Sequence, residues 1–223
     1  MQTAARPNPV VIPAQAGIQV QAPPIVRHLG TAEYAPIYQA MRRFTDLRGA
    51  ATPDELWVLE HPPVYTVGIA GRAEHFPRAS AIPIERVDRG GQITYHGPGQ
   101  AIVYALVDFA RRGLTVRTMV ALIEQAVIDT LAAHDVRAAR RSGAPGVYVD
   151  GAKIAALGLR VRRGCCYHGV ALNVNMDLAP FSAIDPCGYP GLEVTQTSAL
   201  GIAASSEEIG RALAERIVEL IEK

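Results

Sequence analysis

Two stretches of this chain put reactive side chains where their surroundings would alter their chemistry. In Gly151-Ala-Lys153-Ile-Ala-Ala-Leu-Gly158 a lysine follows a tight turn and is flanked by apolar residues. Burial disfavours an ammonium ion, so a lysine enclosed there would have a lowered pKa and act as a base. The competing reading is a surface lysine on a strand. In Ile184-Asp-Pro-Cys187-Gly-Tyr-Pro-Gly191 a cysteine sits in a loop, bracketed by prolines and followed at once by glycine. Loops on a rigid scaffold carry reactive groups disproportionately often, and a neighbouring glycine leaves a thiol open to a bulky substrate. The alternative fate, a small buried hydrophobe, suits Cys165 and Cys166 better because they lie beside strand residues.

A third stretch, Arg89-Gly-Gly-Gln-Ile-Thr-Tyr-His-Gly-Pro-Gly-Gln100, holds four glycines, a proline and a histidine ahead of an apolar run. It lacks the Gly-Lys-Ser/Thr of a phosphate loop, and its glycine spacing does not match a dinucleotide fingerprint. Glycines let backbone approach a ligand closely, while Pro98 stiffens a turn, so the stretch suits the floor of a pocket. A hairpin whose glycines only serve turns, with His96 as a satisfied polar residue, is the alternative. Cys165-x-x-His168 with Cys187 lacks a second close-spaced ligand pair, so no metal centre is expected.

Composition bounds the rest. The 223 residues suffice for one domain with a sizeable core and no staples. Lysine plus arginine number 22 against 21 aspartate plus glutamate, so net charge gives no reason to expect nucleic acid or an anionic membrane as partner. Three cysteines make no disulfide framework and suit a reducing compartment. No apolar run approaches the ~20 residues of a membrane helix. The early run Val10-Val-Ile12 before Pro13 is too short for a signal sequence, and a cytoplasmic location follows. Residues 1–24, rich in Pro, Gln and Ala without apolar period, are expected to be a disordered extension, leaving 25–223 as a single domain.

The elements that must position these groups interleave strands and helices. Tyr34 to about Leu47 has helical spacing of Ile37, Tyr38, Met41 and Phe44, and ELWVLEHPPVYTVG reads as strand, turn, strand. Ile82, Ile84 and Val87 alternate, and AIVYALV reads as a strand buried on both faces. Thr115 caps a helix with an expected inward stripe of Val116, Val120, Ile123, Val127 and Leu131. GVYVDGAKIAALGLRVRRG predicts a hairpin turning at Asp150-Gly151, and HGVALNVNM another strand. Ser205 and Glu208 form a capping box for a final helix with Ile209, Leu213, Ile217 and Leu220 on one face. The sum predicts an α/β (α+β) fold: a mixed, largely antiparallel sheet flanked by helices.

Taken together and in this order, RGGQITYHGPGQ, GAKIAALG, HGVALNVNMDL and PCGYPG resemble the octanoyl-(acyl carrier protein):protein N-octanoyltransferases, or lipoyl(octanoyl) transferases, from about residue 27 to about 200. The resemblance implies a fold similar to the biotin and lipoate protein ligase catalytic domain. It places the acyl nucleophile at Cys187 and the lysine that lowers its pKa at Lys153. It carries substrate binding onto Arg89, Gly90, Gly91, Gln92, Ile93, Thr94, Tyr95 and His96, onto Ala156, Leu157 and Gly158, and onto Gly169, Val170 and Ala171. The implied reaction moves an octanoyl group from octanoyl-acyl carrier protein, through an octanoyl-cysteine thioester, to a lysine of a lipoyl domain. The acceptors would be 2-oxoacid dehydrogenase complexes and the glycine-cleavage H protein. No cofactor is expected beyond the phosphopantetheine that delivers the acyl group, and the enzyme is expected to be a monomer without nucleic-acid or membrane partners. Backbone N–H groups of the glycine-rich stretch are expected to line the acyl pocket and hold the tetrahedral oxyanion. Arg89 and the cluster Arg160, Arg162 and Arg163 are candidates to meet an acidic carrier, against the bland reading of solvated arginines. An ATP-dependent lipoate ligase on the same fold, which would not need Cys187, and a non-catalytic carrier-binding module are the alternatives.

Overall fold

The computed structural model describes residues 22–77, 80–186, 189 and 191–223. The expected extension over 1–24 therefore lies, apart from residues 22–24, outside the described residues.

Two sheets form. The larger has seven strands in the order β1-β2-β6-β10-β9-β8-β7. These are β1 (Ile25–Thr31), β2 (Glu55–Glu60), β6 (Gln100–Leu106), β10 (Cys165–Asn173), β9 (Ala152–Arg162), β8 (Val147–Val149) and β7 (Ala139–Arg140). Only the β1–β2 pair is parallel. The smaller sheet orders β4 (Ile84–Arg86), β3 (Val64–Val67) and β5 (Ile93–His96), with β3 parallel to β4 and antiparallel to β5. The mixed, largely antiparallel layout expected from the pattern is thus present, divided between two sheets. The strand–turn–strand reading of ELWVLEHPPVYTVG holds for the elements, but β2 and β3 do not pair. Two prolines after His61 remove N–H donors and stiffen the chain, and it passes from one sheet to the other there.

Helices cover both faces of the large sheet. On one side, after the single turn of α2 (Phe109–Arg112), α3 (Val116–Ala132) and α4 (Ser206–Ile221) enclose the main core, which includes Val103, Ile123, Ile154, Leu172 and Leu213. On the other, α1 (Tyr34–Leu47) packs Met41 against Trp57, Leu59, Ile102, Tyr104 and Tyr167. Strand β6 is buried at every position, as its unbroken apolar run predicts. Capping boxes close the N-termini of α3, at Thr115 and Thr118, and of α4, at Ser205 and Glu208. The inward stripe of α3 differs from expectation. Met119, Ile123, Ala126, Val127, Thr130 and Leu131 are buried, whereas Val116, in the first turn beyond the edge of the core, is half exposed.

The β8–β9 turn falls at Asp150-Gly151, with both residues at positive φ (48° and 88°). That combination defines the tight hairpin turn matched to strand twist. A second such turn, Arg163-Gly164, links β9 to β10. Among the described residues no helix is long and apolar enough to cross a membrane.

Candidate functional site

Lys153 reaches its place through a defect in register. Along the β8–β9 ladder Val149 faces Ala152, Tyr148 faces Lys153 and Val147 faces Ala155, so Ile154 is an extra residue. Such a bulge re-aims the side chains around it. Ile154 and Ala155 both turn into the main core, and Lys153 consequently joins Ala156 on the opposite face, where both line one small cavity. Lys153 is 3 % exposed, and its Nζ donates to Pro145 O at 3.1 Å and lies 5.2 Å from the centre of the Tyr148 ring. The surface-lysine reading fails on that burial.

The rest of that small cavity is Thr94, Asn173, Phe181, Pro186 and Val194. Pro186 immediately precedes Cys187, which itself lies outside the described residues. The segment is tied on both sides. Upstream, Asp185 N–H donates to His75 O at 3.3 Å, and its carboxylate meets His75 Nδ1 at 2.8 Å. Downstream, Lys153 N–H donates to Glu193 O at 2.8 Å and Thr195 N–H to Lys153 O at 3.0 Å. The two other cysteines are buried, and burial pushes both thiols up, Cys166 to about 12. Neither suits thiolate chemistry at neutral pH.

A larger pocket opens between the two sheets. Arg89, Gly91, Gln92, Ile93, Thr94 and His96 line it from β5 and the turn before it. Ala156, Leu157 and Gly158 line it from β9, and His168, Gly169, Val170 and Ala171 from β10. Ile102 and Tyr104 of β6 and Tyr34 of α1 complete it. Thr94 and Ala156 border both cavities, so the large pocket and the Lys153 cavity share a wall. Two glycines make the close approaches that shape it. A Cβ on Gly169 would lie 2.0 Å from Val103 O of β6, and one on Gly158 would lie 3.0 Å from Gly90 O.

Polar groups at the pocket are buried and mutually satisfied. The Arg89 guanidinium donates to Thr66 O at 2.7 Å, Thr66 Oγ1 at 2.9 Å and Gly90 O at 2.9 Å. With Thr66 Oγ1 accepting from Arg89, its hydroxyl is directed to His96 Nε2, 3.3 Å away, and His96 Nδ1 then donates to Gln100 Oε1 at 2.8 Å. Burial, then the neighbouring His61, pushes the His96 pKa down to about 3. Burial pushes His61 down to about 4 against the pull of its bond to Ala32 O. His168 is lowered too, by burial and despite Asp88. Asp88 behaves oppositely. Burial would raise its pKa, but hydrogen bonds from His168, Tyr167 and Tyr38 outweigh it and hold the carboxyl well below the usual carboxylate range. At neutral pH the pocket therefore carries neutral imidazoles, with the Arg89 cation held in carbonyl and hydroxyl oxygens.

Of the residues singled out in the sequence, Gly90 and Tyr95 do not line the pocket. Gly90 N–H bonds Leu159 O at 2.9 Å, joining the turn to β9. Tyr95 alternates to the far side of β5, against Phe181 and Tyr65. The amides of Gly90 and Gly99 are occupied, the latter by Glu60 Oε2 at 2.8 Å, so neither is available to an oxyanion. Arg160 lies 3.9 Å from Asp88, while Arg162 and Arg163 engage Asp46. Sequence reasoning missed Tyr34, Ile102, Tyr104, His61 and Asp88. Each reads locally as an ordinary core or turn residue, and only the His61-Pro-Pro step offered a signal.

Comparison with known proteins follows the same lines. A family model described as the lipoyl protein ligase A/B catalytic domain matches residues 35–218. The octanoyltransferase of Thiobacillus denitrificans is 60% identical over 197 residues, covering 88% of this chain and 90% of that protein. The octanoyltransferase of Dechloromonas aromatica is 55% identical over 201 residues, covering 90% and 98%. Among solved structures, a lipoate-protein ligase A bound with ATP superposes with a TM-score of 0.73 at 17% identity, over 89% of this chain and 85% of that one. The biotin protein ligase of Aquifex aeolicus in complex with biotin and ATP gives 0.55 at 13% identity, over 89% and 71%. These two likenesses concern the fold alone.

Proposed function

Because this chain belongs to the octanoyltransferase family and is an acyltransferase, we propose that it moves an octanoyl group from octanoyl-acyl carrier protein to a lysine of a lipoyl domain, through an octanoyl-Cys187 thioester. The observation that carries the reading is the shared wall. Lys153 and Pro186, the residue before Cys187, line one cavity, and Thr94 and Ala156 separate it from a pocket of Ile102, Leu157, Val170 and Ala171 that suits an alkyl chain.

In the first half-reaction Lys153 Nζ, as the neutral amine, accepts the Cys187 Sγ proton. The thiolate attacks the thioester carbonyl, a new C–S bond forms, and the carrier's C–S bond breaks. The leaving phosphopantetheine thiolate takes the proton back from Lys153. A free thiol is only a few per cent thiolate at neutral pH, and the adjacent base raises that fraction. One thioester replaces another, so the activation of the acyl group is retained and ATP has no part. In the second half-reaction the acceptor lysine amine attacks the octanoyl-Cys187 carbonyl, Lys153 takes its proton, and Cys187 leaves as thiolate and is reprotonated. The amide product is more stable than the thioester, which drives transfer.

The test is intact-protein mass spectrometry after brief exposure to octanoyl-acyl carrier protein, without ATP or lipoyl domain, on wild type and Cys187→Ser. A single hydroxylamine-labile octanoyl adduct on wild type alone is expected. No adduct, with transfer only when ATP and free acid are supplied, would make the protein a ligase.

A further inference from the structure

We infer that Tyr104, pinned by His61 and flanked by His168, is the end wall of the acyl pocket and sets the longest chain this enzyme transfers efficiently; the inference rests on the acyl-transfer reading above. Ladder register orders the pocket along its length. Ala156 is level with Ala171, and two residues further from Lys153 Gly158 is level with Gly169, which in turn faces Tyr104 on β6. The wall shared with the Lys153 cavity is small, at Thr94 and Ala156, and the middle is aliphatic, at Ile102, Leu157, Val170 and Ala171. The far end is aromatic, at Tyr34, Tyr104 and His168.

That far end is rigid. Ala32 O can only accept, so His61 Nδ1, 2.6 Å away, carries the imidazole proton. His61 Nε2 is then an acceptor, and the Tyr104 hydroxyl donates to it at 2.8 Å. Tyr104 is 4 % exposed, and its ring is packed in the α1 core with the fully buried Met41 and Leu106 and with Trp57. His168, 2 % exposed at a left-handed φ of 63°, sets its ring edge-on to Tyr104 (6.2 Å between centres) and stacks on Tyr38 (5.5 Å). Asp88 Oδ1 holds its Nε2 at 3.3 Å. A chain that reaches Tyr104 can lengthen only by displacing a hydrogen-bonded ring, so the limit should be abrupt.

The experiment measures kcat/KM for hexanoyl, octanoyl, decanoyl and dodecanoyl thioesters of acyl carrier protein, on wild type, Tyr104→Leu, Tyr104→Ala and Tyr104→Phe, with thermal unfolding of each. Wild type should favour octanoyl and fall steeply at decanoyl. Tyr104→Leu and Tyr104→Ala should reverse that order, gaining about fourfold per added methylene, the factor corresponding to ~0.8 kcal/mol per buried CH₂. Tyr104→Phe, which keeps the ring, should keep the wild-type order. A folded Tyr104→Leu with the wild-type order would overturn the end-wall assignment while leaving octanoyl transfer intact. Transfer of no chain by the wild type would instead overturn the acyl-transfer reading, and this inference with it.

Discussion

The Gln100 amide joins His96 to Asn173: its Oε1 accepts from His96 Nδ1 at 2.8 Å and its Nε2 donates to Asn173 Oδ1 at 2.9 Å. Asn173 Nδ2 donates on to Thr195 O at 3.0 Å, and Thr195 N–H to Lys153 O. An unbroken run of hydrogen bonds therefore leads from Arg89 through Thr66, His96, Gln100, Asn173 and Thr195 to the backbone of Lys153. It bridges the small sheet to the large one. His96 is thereby occupied inside the protein, at a pKa near 3.

Gln100→Leu should leave His96 and Asn173 each lacking a buried partner, at about 1–3 kcal/mol apiece. Urea unfolding should show that loss, and kcat should fall more than KM rises because the segment at Lys153 loosens. Stability and kcat both at wild-type values would mean that the run carries no coupling.

Lys153→Arg separates a base from a bystanding cation. Guanidinium keeps the charge but cannot be deprotonated, so transfer should fall by roughly 10²–10⁴, the usual contribution of a positioned acid–base group. Lys153→Met should behave likewise, and the rate of Cys187 alkylation at neutral pH should drop in it. An arginine variant with near wild-type kcat would assign Lys153 an electrostatic role only.

Gly169→Ala tests the approach of β10 to β6. The added Cβ would meet the Val103 carbonyl at 2.0 Å, and a backbone carbonyl cannot swing aside as a flexible side chain can. Overpacking of this kind costs about 1–3 kcal/mol or more, and the midpoint of denaturant unfolding should fall accordingly. An unchanged midpoint would show that the two strands separate freely.

The neutral imidazoles give a pH dependence of definite sign. His61 and His96 sit at about 4 and about 3, against an ordinary value of 6.5. Above about pH 6.5 they are neutral folded or unfolded and contribute no slope. Below it the unfolded chain binds protons that the folded chain refuses, so stability is lost as pH falls toward the folded-state values. Each histidine accounts for about 1.4 kcal/mol per pH unit within its window. Unfolding free energy measured from pH 7 to 4.5 should fall accordingly, and His61→Gln should flatten the curve by about one proton. A curve of equal steepness in that variant would place His61 elsewhere in its titration.

Legibility from sequence followed the range of the interactions. The bounds of α1, the Asp150-Gly151 turn and both capping residues are written within a few positions of themselves, and all appear where the pattern puts them. The glycine-rich, Ala156–Gly158 and Gly169–Ala171 segments do meet at one pocket, save for Gly90 and Tyr95. What was hidden depends on partners far along the chain. Pro62 and Pro63 mark a break before Val64, but nothing nearby says that β3 pairs with β4 and β5. The burial of Met119 rather than Val116 is a matter of tertiary packing, with α4 lying against α3 far along the chain. Tyr104 carries no local mark, because it matters through His61, 43 positions away. The bulge at Ile154 is equally silent, since an apolar residue between a lysine and an alanine reads as regular strand.

The attachment of Lys153 to Glu193 and Thr195 uses main-chain atoms alone. Side-chain replacement at Glu193 or Thr195 thus leaves these two tethers of Lys153 in place. The downstream flank of the proposed nucleophile is thereby open to recoding: substitutions at Glu193 and Thr195 can be screened for new acyl acceptors with Lys153 still tethered.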